Sequence, residues 1–471
     1  MTDSKRAVVL GAGLAGMLTA HVLADHVDSV TVVDRDTMPD GPYPRKGLPQ
    51  ARHAHLLMSG GARAIDRLLP GMTERLLAAG AHRVALPADV VSLTAYGWQQ
   101  RFPGDQFMIT CSRELLDWTV RDTVLRNARI TVLDGMDVLA PLTEAGRVTG
   151  IGLRPRDGSA GPSELAADFV VDATGRGSPA KKWLADLGLP PVREETVDVG
   201  LRYSSRIFRA PAGAEKGFPV VSVYPDHRSG GPGQSAVLVP IEDGRWIVTI
   251  SGTRGAEPPN GEEGFVEFAA AARHSIVGDL IAAAEPVTEV QGSRSTTNRR
   301  LHYEQVTPWP EGFAVLGDAL AAFNPVYGHG MSCAAQSALA LDGELRRLGG
   351  LAPQLARRVQ RAVSAAIDDA WILATTLDLD YPGCRSDVTD ARLANPSPAG
   401  RRFAELVSTA ALYDPAVATA TMEVTTLSAP LTRLQAPDVF AAAQRFAARP
   451  AGGPISDEPP LKPDESALLG R

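Results

Sequence analysis

Ala7 to Leu10 form a short apolar run, followed at once by Gly11, Gly13 and Gly16 in GxGxxG spacing and then by an apolar-periodic stretch reaching Ala24. Strand, glycine turn and helix in that order predict the first half of a βαβ unit, which commits the chain to a parallel sheet. Gly11 permits the tight turn, Gly13 lets the backbone approach a pyrophosphate, and Gly16 lets helix and strand pack closely. The helix start, with Leu14 and Ala15 in its first turn, offers free N–H groups and a partial positive charge to an anion. The next apolar run, SVTVV, ends at Asp34 and Arg35, where an acidic side chain can accept hydrogen bonds from a ribose diol. These features predict a site for an ADP-bearing cofactor. They do not separate FAD from NAD, which share that half.

A second glycine-rich segment, GFAVLGDALAAFNPVYGHGMS from Gly312, makes the distinction. Phe313 to Leu316 reads as a buried strand ending in Gly317 and Asp318, and Pro325, Gly328 and Gly330 precede a small-residue helix starting near Met331. The segment resembles the GD motif of flavin-dependent monooxygenases of the aromatic-hydroxylase and squalene-epoxidase superfamily. The resemblance implies that Asp318 hydrogen-bonds the ribityl chain of FAD and that the following helix points its N-terminus at the flavin pyrimidine. Helix-start N–H groups suit the negative charge that reduced flavin carries near N1 and O2.

Other pieces match the same superfamily. RKGLPQ resembles its RAGxxxQ-like loop, which assigns Arg45 and Gly47 to the cofactor. SRELLDWTVRDTVL reads as an amphipathic helix with Ser112 as N-cap, and Arg113 stands where the family places a phosphate-binding arginine. Residues 130–171 alternate as a small β-meander over the nucleotide, including Val138, and end in a DATG segment that places Asp172 and Gly175 beside the ADP part of FAD.

The chain has 471 residues, 44% hydrophobic and 21% charged, enough for two or three lobes around a large core. A net charge of −7 without a basic cluster argues against a nucleic-acid partner. No apolar run is long enough to span a bilayer, the first strand begins too early for a signal peptide, and the three cysteines are widely spaced. These features predict a cytoplasmic protein without disulfides or a metal site. His53 and His55 read as hydrogen-bonding residues, and Cys333 as a small buried helix residue.

The expected architecture is therefore α/β. A discontinuous Rossmann-like FAD-binding domain (1–83, 112–190 and 291–350) carries an inserted mixed β-sheet substrate domain (84–111 and 191–290), then a C-terminal helical cap (351–448) and a flexible tail (449–471). The inserted sheet, with the hairpin AVLVPIEDGRWIVTISGT, would roof the flavin ring and supply a mostly apolar pocket. Its candidate lining is Tyr203, Val221, Val223, Leu238 and Trp246.

A single GxGxxG in strand-to-helix context leaves no second Rossmann domain for a nicotinamide, so NAD(P)H acts transiently or through a separate flavin reductase. No Ser/His/Asp, Cys/His or metal constellation stands out, so no side chain is expected to be catalytic and the chemistry falls to the cofactor. The blocks RKGLPQARHAHLLMSGGAR, YGWQQRFP, FMITCSRELLDW, NRRLHY, FNPVYGHGMS and YPGCR resemble the flavin epoxidases of polyether ionophore biosynthesis, the monensin and lasalocid type. That resemblance implies O2-dependent epoxidation of E-alkenes in a linear polyene polyketide, free or carrier-protein-bound, through a flavin C4a-hydroperoxide supported near Pro325 to Met331. A separate epoxide hydrolase would act next. Ala321 stands where the aromatic hydroxylases carry a histidine, and no tryptophan lies in the WxWxIP segment of flavin halogenases. The alternatives are a hydroxylase of an aromatic or other polyketide, an alkene-saturating flavin reductase, and a non-catalytic polyene-binding flavoprotein.

Overall fold

The computed structural model describes residues 4–447 and 457–469. Its centre is a parallel sheet of five strands in the order Phe313–Val315, Phe169–Asp172, Arg6–Leu10, Ser29–Val33 and Ile130–Leu133. Val8, Val9 and Leu10 are all buried, so both faces of the strand are covered, which is why it reads as a continuous apolar run. Leu10 pairs with Asp172, and Asp172 with Val315, so three strands end level with one another. The glycine turn at Gly11, the DATG segment and Gly317 consequently emerge together at the carboxyl edge, where open α/β sheets bind ligands. Ile130–Leu133 belongs to this sheet rather than to the expected meander, which consists of Met136–Glu144, Arg147–Pro155 and Ser163–Ala166. An edge strand with one open face has the same alternation as a meander strand, so periodicity does not separate them.

A second sheet has seven strands: Gln291–Ser293, Arg202–Arg209, Arg245–Gly252, Gln234–Ile241, Val220–Val223, Val90–Thr94 and Gly97–Trp98. It is mixed, because Val220–Val223 runs parallel to Val90–Thr94 while the other pairs are antiparallel. The hairpin turns at Glu242–Gly244, where Asp243 and Gly244 both take positive φ, 61° and 62°. Neighbouring segments depart from the expected insert. Gln106–Thr110 pairs on one side with Leu56–Met58 and on the other with His82–Leu86, and Glu194–Asp198 pairs with Asn298–Leu301 in a separate four-stranded sheet. The three-stranded sheet and the Glu194–Asp198 and Asn298–Leu301 strands lie between strands of the FAD-type sheet and of the seven-stranded one in chain order, so the boundary between the two bodies is stitched rather than cut.

After Leu348 the chain is helical, and the helices Pro398–Ala410, Pro415–Thr425 and Pro437–Ala447 close on a core of small residues, including Ala410, Ala418, Ala420 and Ala442. The expected flexible tail requires correction at residues 457–469. Arg101 and Glu465 form a bidentate pair at 2.5 and 2.9 Å with side chains 8% and 5% exposed, and Trp98 Nε1 donates to the Asp457 carbonyl. Leu461, Leu468 and Leu469 pack against the seven-stranded sheet's core. A Pro-rich, charged segment reads as tail because its anchors lie far upstream in sequence.

Candidate cofactor site

At the first glycine turn the three glycines have different reasons to be there. A Cβ on Gly11, whose φ is +97°, would lie 2.6 Å from the Ala173 carbonyl oxygen, and one on Gly16 would lie 1.8 Å from the Gly11 oxygen. Both positions are closed by the fold itself. A Cβ on Gly13 would meet nothing within 4 Å. Gly13 therefore borders open space at the N-terminus of the helix Leu14–Ala24, where an anionic group meets backbone N–H donors.

The second motif docks directly on the first. A Cβ on Gly317 would lie 2.9 Å from Ala15 Cβ, so the two glycine segments touch. The Asp318 carboxylate accepts no hydrogen bond from the described residues, and burial pushes its pKa up against the pull of Arg176, Arg113 and Arg299. A carboxylate left unsatisfied at a strand end suits the hydroxyls of a ribityl chain. Gly330 opens the 19-residue helix Gly330–Leu348, and a Cβ there would be 3.8 Å from Asp318 Oδ1. Pro325 lies in the turn Pro325–Tyr327, Gly328 takes φ +69°, and Met331 is buried in the first helical turn. These features fit FAD: open space at Gly13, an unpartnered Asp318 and a helix start beside it.

The remaining positions divide. Asp34 Oδ2 accepts from Ala12 N at 2.6 Å and lies 3.7 Å from Arg45, whose guanidinium also donates to the Ala12 carbonyl. Arg35 is exposed at the strand end, and Val138 is half-buried in the meander. Gly47 N donates to Asp36 Oδ2 at 2.6 Å, so Asp36, which sequence reasoning missed, holds the Arg45–Gly47 loop. Ser112 caps its helix as expected, and Arg113 Nε donates to Asp117 at 2.8 Å. Asp172 is corrected from the cofactor set. It is 0% exposed, and its oxygens accept from Thr174 N, Thr174 Oγ1 and Ser178 Oγ, so it shapes the turn through Gly175.

The pocket candidates on the roof also need correction. Val221, Val223, Leu238 and Trp246 lie on the sheet face packed against the helices Phe265–Ala270 and Ile276–Ile281, away from the flavin loop. Among the five, Tyr203 alone lies on the opposite face, against Val326 and Tyr381 and 4.3 Å from the His53 ring. Alternation identifies two faces but not which one a helix covers. The face toward the flavin loop is more polar than expected. Ser205 bonds Thr249 at 2.6 Å, Ser235 bonds Ser251 at 2.5 Å, and Ser222 donates to Ser92 at 2.9 Å.

His53 Nδ1 lies 2.8 Å from Ser205 Oγ, and burial with the nearby Arg52 lowers its pKa to about 4. His55 Nδ1 donates to the His53 carbonyl, and burial with Arg113 lowers it to about 3. Both are neutral near pH 7, and among the described residues no carboxylate bonds either ring, so the Ser205–His53 pair lacks the third member of a hydrolytic triad. Cys333 is buried, with its thiol pushed up by burial. Among the described residues no group of three or more His, Cys, Asp or Glu can hold a metal, and no helix is long and apolar enough to cross a membrane.

A parallel sheet with paired glycine turns at its carboxyl edge, under a mixed-sheet roof, defines an FAD-binding flavoprotein. The family model described as an FAD binding domain matches residues 5–348. The chain belongs to this FAD-binding monooxygenase family. Protein Rv3254 of Mycobacterium tuberculosis is 32% identical over 388 residues, 80% of each chain. Kynurenine 3-monooxygenase of Salinispora arenicola is 28% identical over 354 residues, 72% of each. Among solved structures, a flavoprotein/dehydrogenase from Cytophaga hutchinsonii superposes with a TM-score of 0.62 at 15% identity, covering 94% of this chain and 98% of that one.

Proposed function

We propose that this FAD-dependent monooxygenase epoxidises alkenes of a linear, oxygen-bearing polyene polyketide. The observation that carries the reading is the composition of the space between flavin loop and roof: neutral His53 and His55, paired hydroxyls and, among the described residues, no acid–base or nucleophilic set. Bound FAD, reduced by NAD(P)H directly or through a reductase, supplies the activation of O2. The chain's own part is to hold FAD and present the substrate. Gly11, Gly13 and Gly16 with Arg45 and Arg113 are proposed to hold the phosphates, Asp34 the ribose, Asp318 the ribityl chain, and the Gly330 helix start the pyrimidine. Epoxidation asks for no side-chain base, which a His53 with pKa about 4 does not provide near neutrality. The paired hydroxyls Ser205–Thr249 and Ser235–Ser251 support a substrate with oxygens along its length, because such groups favour polar partners over bare hydrocarbon.

The kynurenine 3-monooxygenase relative supports a second reading, hydroxylation of an aromatic ring. Turnover of holoenzyme with a reductant, isotopically labelled O2 and a linear E-polyene separates the two. The expected product gains one labelled oxygen per reacted alkene. Gain of two hydrogens, water-derived oxygen, or turnover confined to an aromatic substrate refutes the epoxidase reading.

A further inference from the structure

The helix Asp368–Leu379, from the C-terminal half, delivers one carboxylate into the flavin motif. Asp378 is 1% exposed. It accepts from Asn298 Nδ2 at 2.6 Å, from Asn324 Nδ2 at 2.9 and 3.2 Å, and from the Tyr327 hydroxyl at 2.5 Å. Asn324 and Tyr327 flank Pro325 and Val326, so one side chain ties both ends of the turn that leads into Gly328 and the Gly330 helix. The turn is held again from within: Asn324 N donates to Asn298 Oδ1 at 2.7 Å, and Asn324 Oδ1 accepts from Val326 N at 3.2 Å.

Its own helix does not favour a carboxylate there. It sits in the last turn of its helix, where the backbone dipole opposes negative charge, and burial raises its pKa to about 6 despite three donors. A neutral amide would be easier to bury, yet its single oxygen cannot accept all the bonds made by two carboxylate oxygens. The charge is retained where three donors converge on the flavin turn.

We propose that Asp378 is a positioning residue for the flavin, clamping the Asn324–Tyr327 turn so that the Gly330 helix start and Asp318 keep their relation to the cofactor. This rests on the FAD site proposed above. The two are tested separately, because failure of that site appears as wild-type apoprotein that does not bind FAD.

The experiment titrates FAD into apoprotein by flavin fluorescence and records the bound flavin's visible spectrum for wild type, Asp378→Asn, Tyr327→Phe, the double variant and Thr375→Val. The Thr375 hydroxyl bonds the Trp371 carbonyl within the same helix, so its variant reports helix destabilisation alone. We expect about tenfold weaker FAD binding and a shifted spectrum for Asp378→Asn, a fewfold loss with a similar shift for Tyr327→Phe, and a double variant no worse than Asp378→Asn. Thr375→Val lowers Tm with affinity and spectrum unchanged. An Asp378→Asn protein with lower Tm but wild-type affinity and spectrum overturns the proposal, as do additive losses in the double variant. If Asp378→Asn does not fold, wild-type affinity and spectrum in Tyr327→Phe overturn it.

Discussion

Alanine at Gly13 and alanine at Gly16 are the same chemical change three residues apart, and they are expected to fail in different ways. Gly13 has φ −78° and ψ −178°, a conformation alanine adopts freely, and its added methyl would meet no protein atom within 4 Å. The fold cost is the poorer helix N-cap, partly offset by lower entropy of the unfolded chain, and nets within about 1 kcal/mol. The same methyl stands where a phosphate would approach the helix N-terminus. Losing one hydrogen bond to a charged group costs about 1.5–3 kcal/mol, which is about 10- to 150-fold in Kd. At Gly16 the methyl would lie 1.8 Å from the Gly11 oxygen and 2.9 Å from its carbon, so the turn itself must open. That overpacking costs about 3 kcal/mol of stability before any cofactor is considered. Apoprotein denaturation with FAD titration by fluorescence quenching reads both quantities. Gly13→Ala with Kd within twofold of wild type refutes the placement of the pyrophosphate, and Gly16→Ala with unchanged stability refutes the turn geometry.

Two further outcomes follow from the corrections above. Glu465→Ala leaves Arg101 buried without its partner, a loss of about 3 kcal/mol for a broken buried pair; hydrogen exchange is expected to show the amides of 463–468 unprotected while FAD affinity is unchanged, and retained protection counts against the docked C-terminal segment. His53 has a folded pKa near 4, below the usual 6.5, so its contribution to stability is fully present above pH 6.5 and is lost as pH falls toward 4. The shift corresponds to about 3 kcal/mol across that window, and His53→Asn is expected to flatten the fall in Tm by a corresponding amount; a variant as pH-sensitive as wild type refutes the assignment.

The parallel sheet was legible because Ala7–Leu10 and Phe313–Leu316 are apolar runs closed by glycines, and a buried parallel strand leaves that pattern whatever its neighbours are. The roof hairpin was legible too, from Asp243-Gly244 between alternating strands. Its inward face was not: Val221 and Tyr203 have similar character, and only the helices Phe265–Ala270 and Ile276–Ile281 decide which face is covered. The role of Asp172 is hidden for a related reason. Its motif position suggests a ligand, whereas the Thr174 and Ser178 hydroxyls that occupy it become visible only in the turn.

The sequence by itself determined the class of cofactor and the sheet that presents it, because short-range order of strand, glycine and helix carries the backbone geometry a dinucleotide requires. Tertiary structure alone decided what surrounds that cofactor. Asp378 reaches Asn324 across 54 residues, Ser205 reaches His53 across 152, and Glu465 reaches Arg101 across 364. Such contacts have no local pattern, since a hydrogen bond or ion pair depends on where two distant segments are brought by the packing of everything between them.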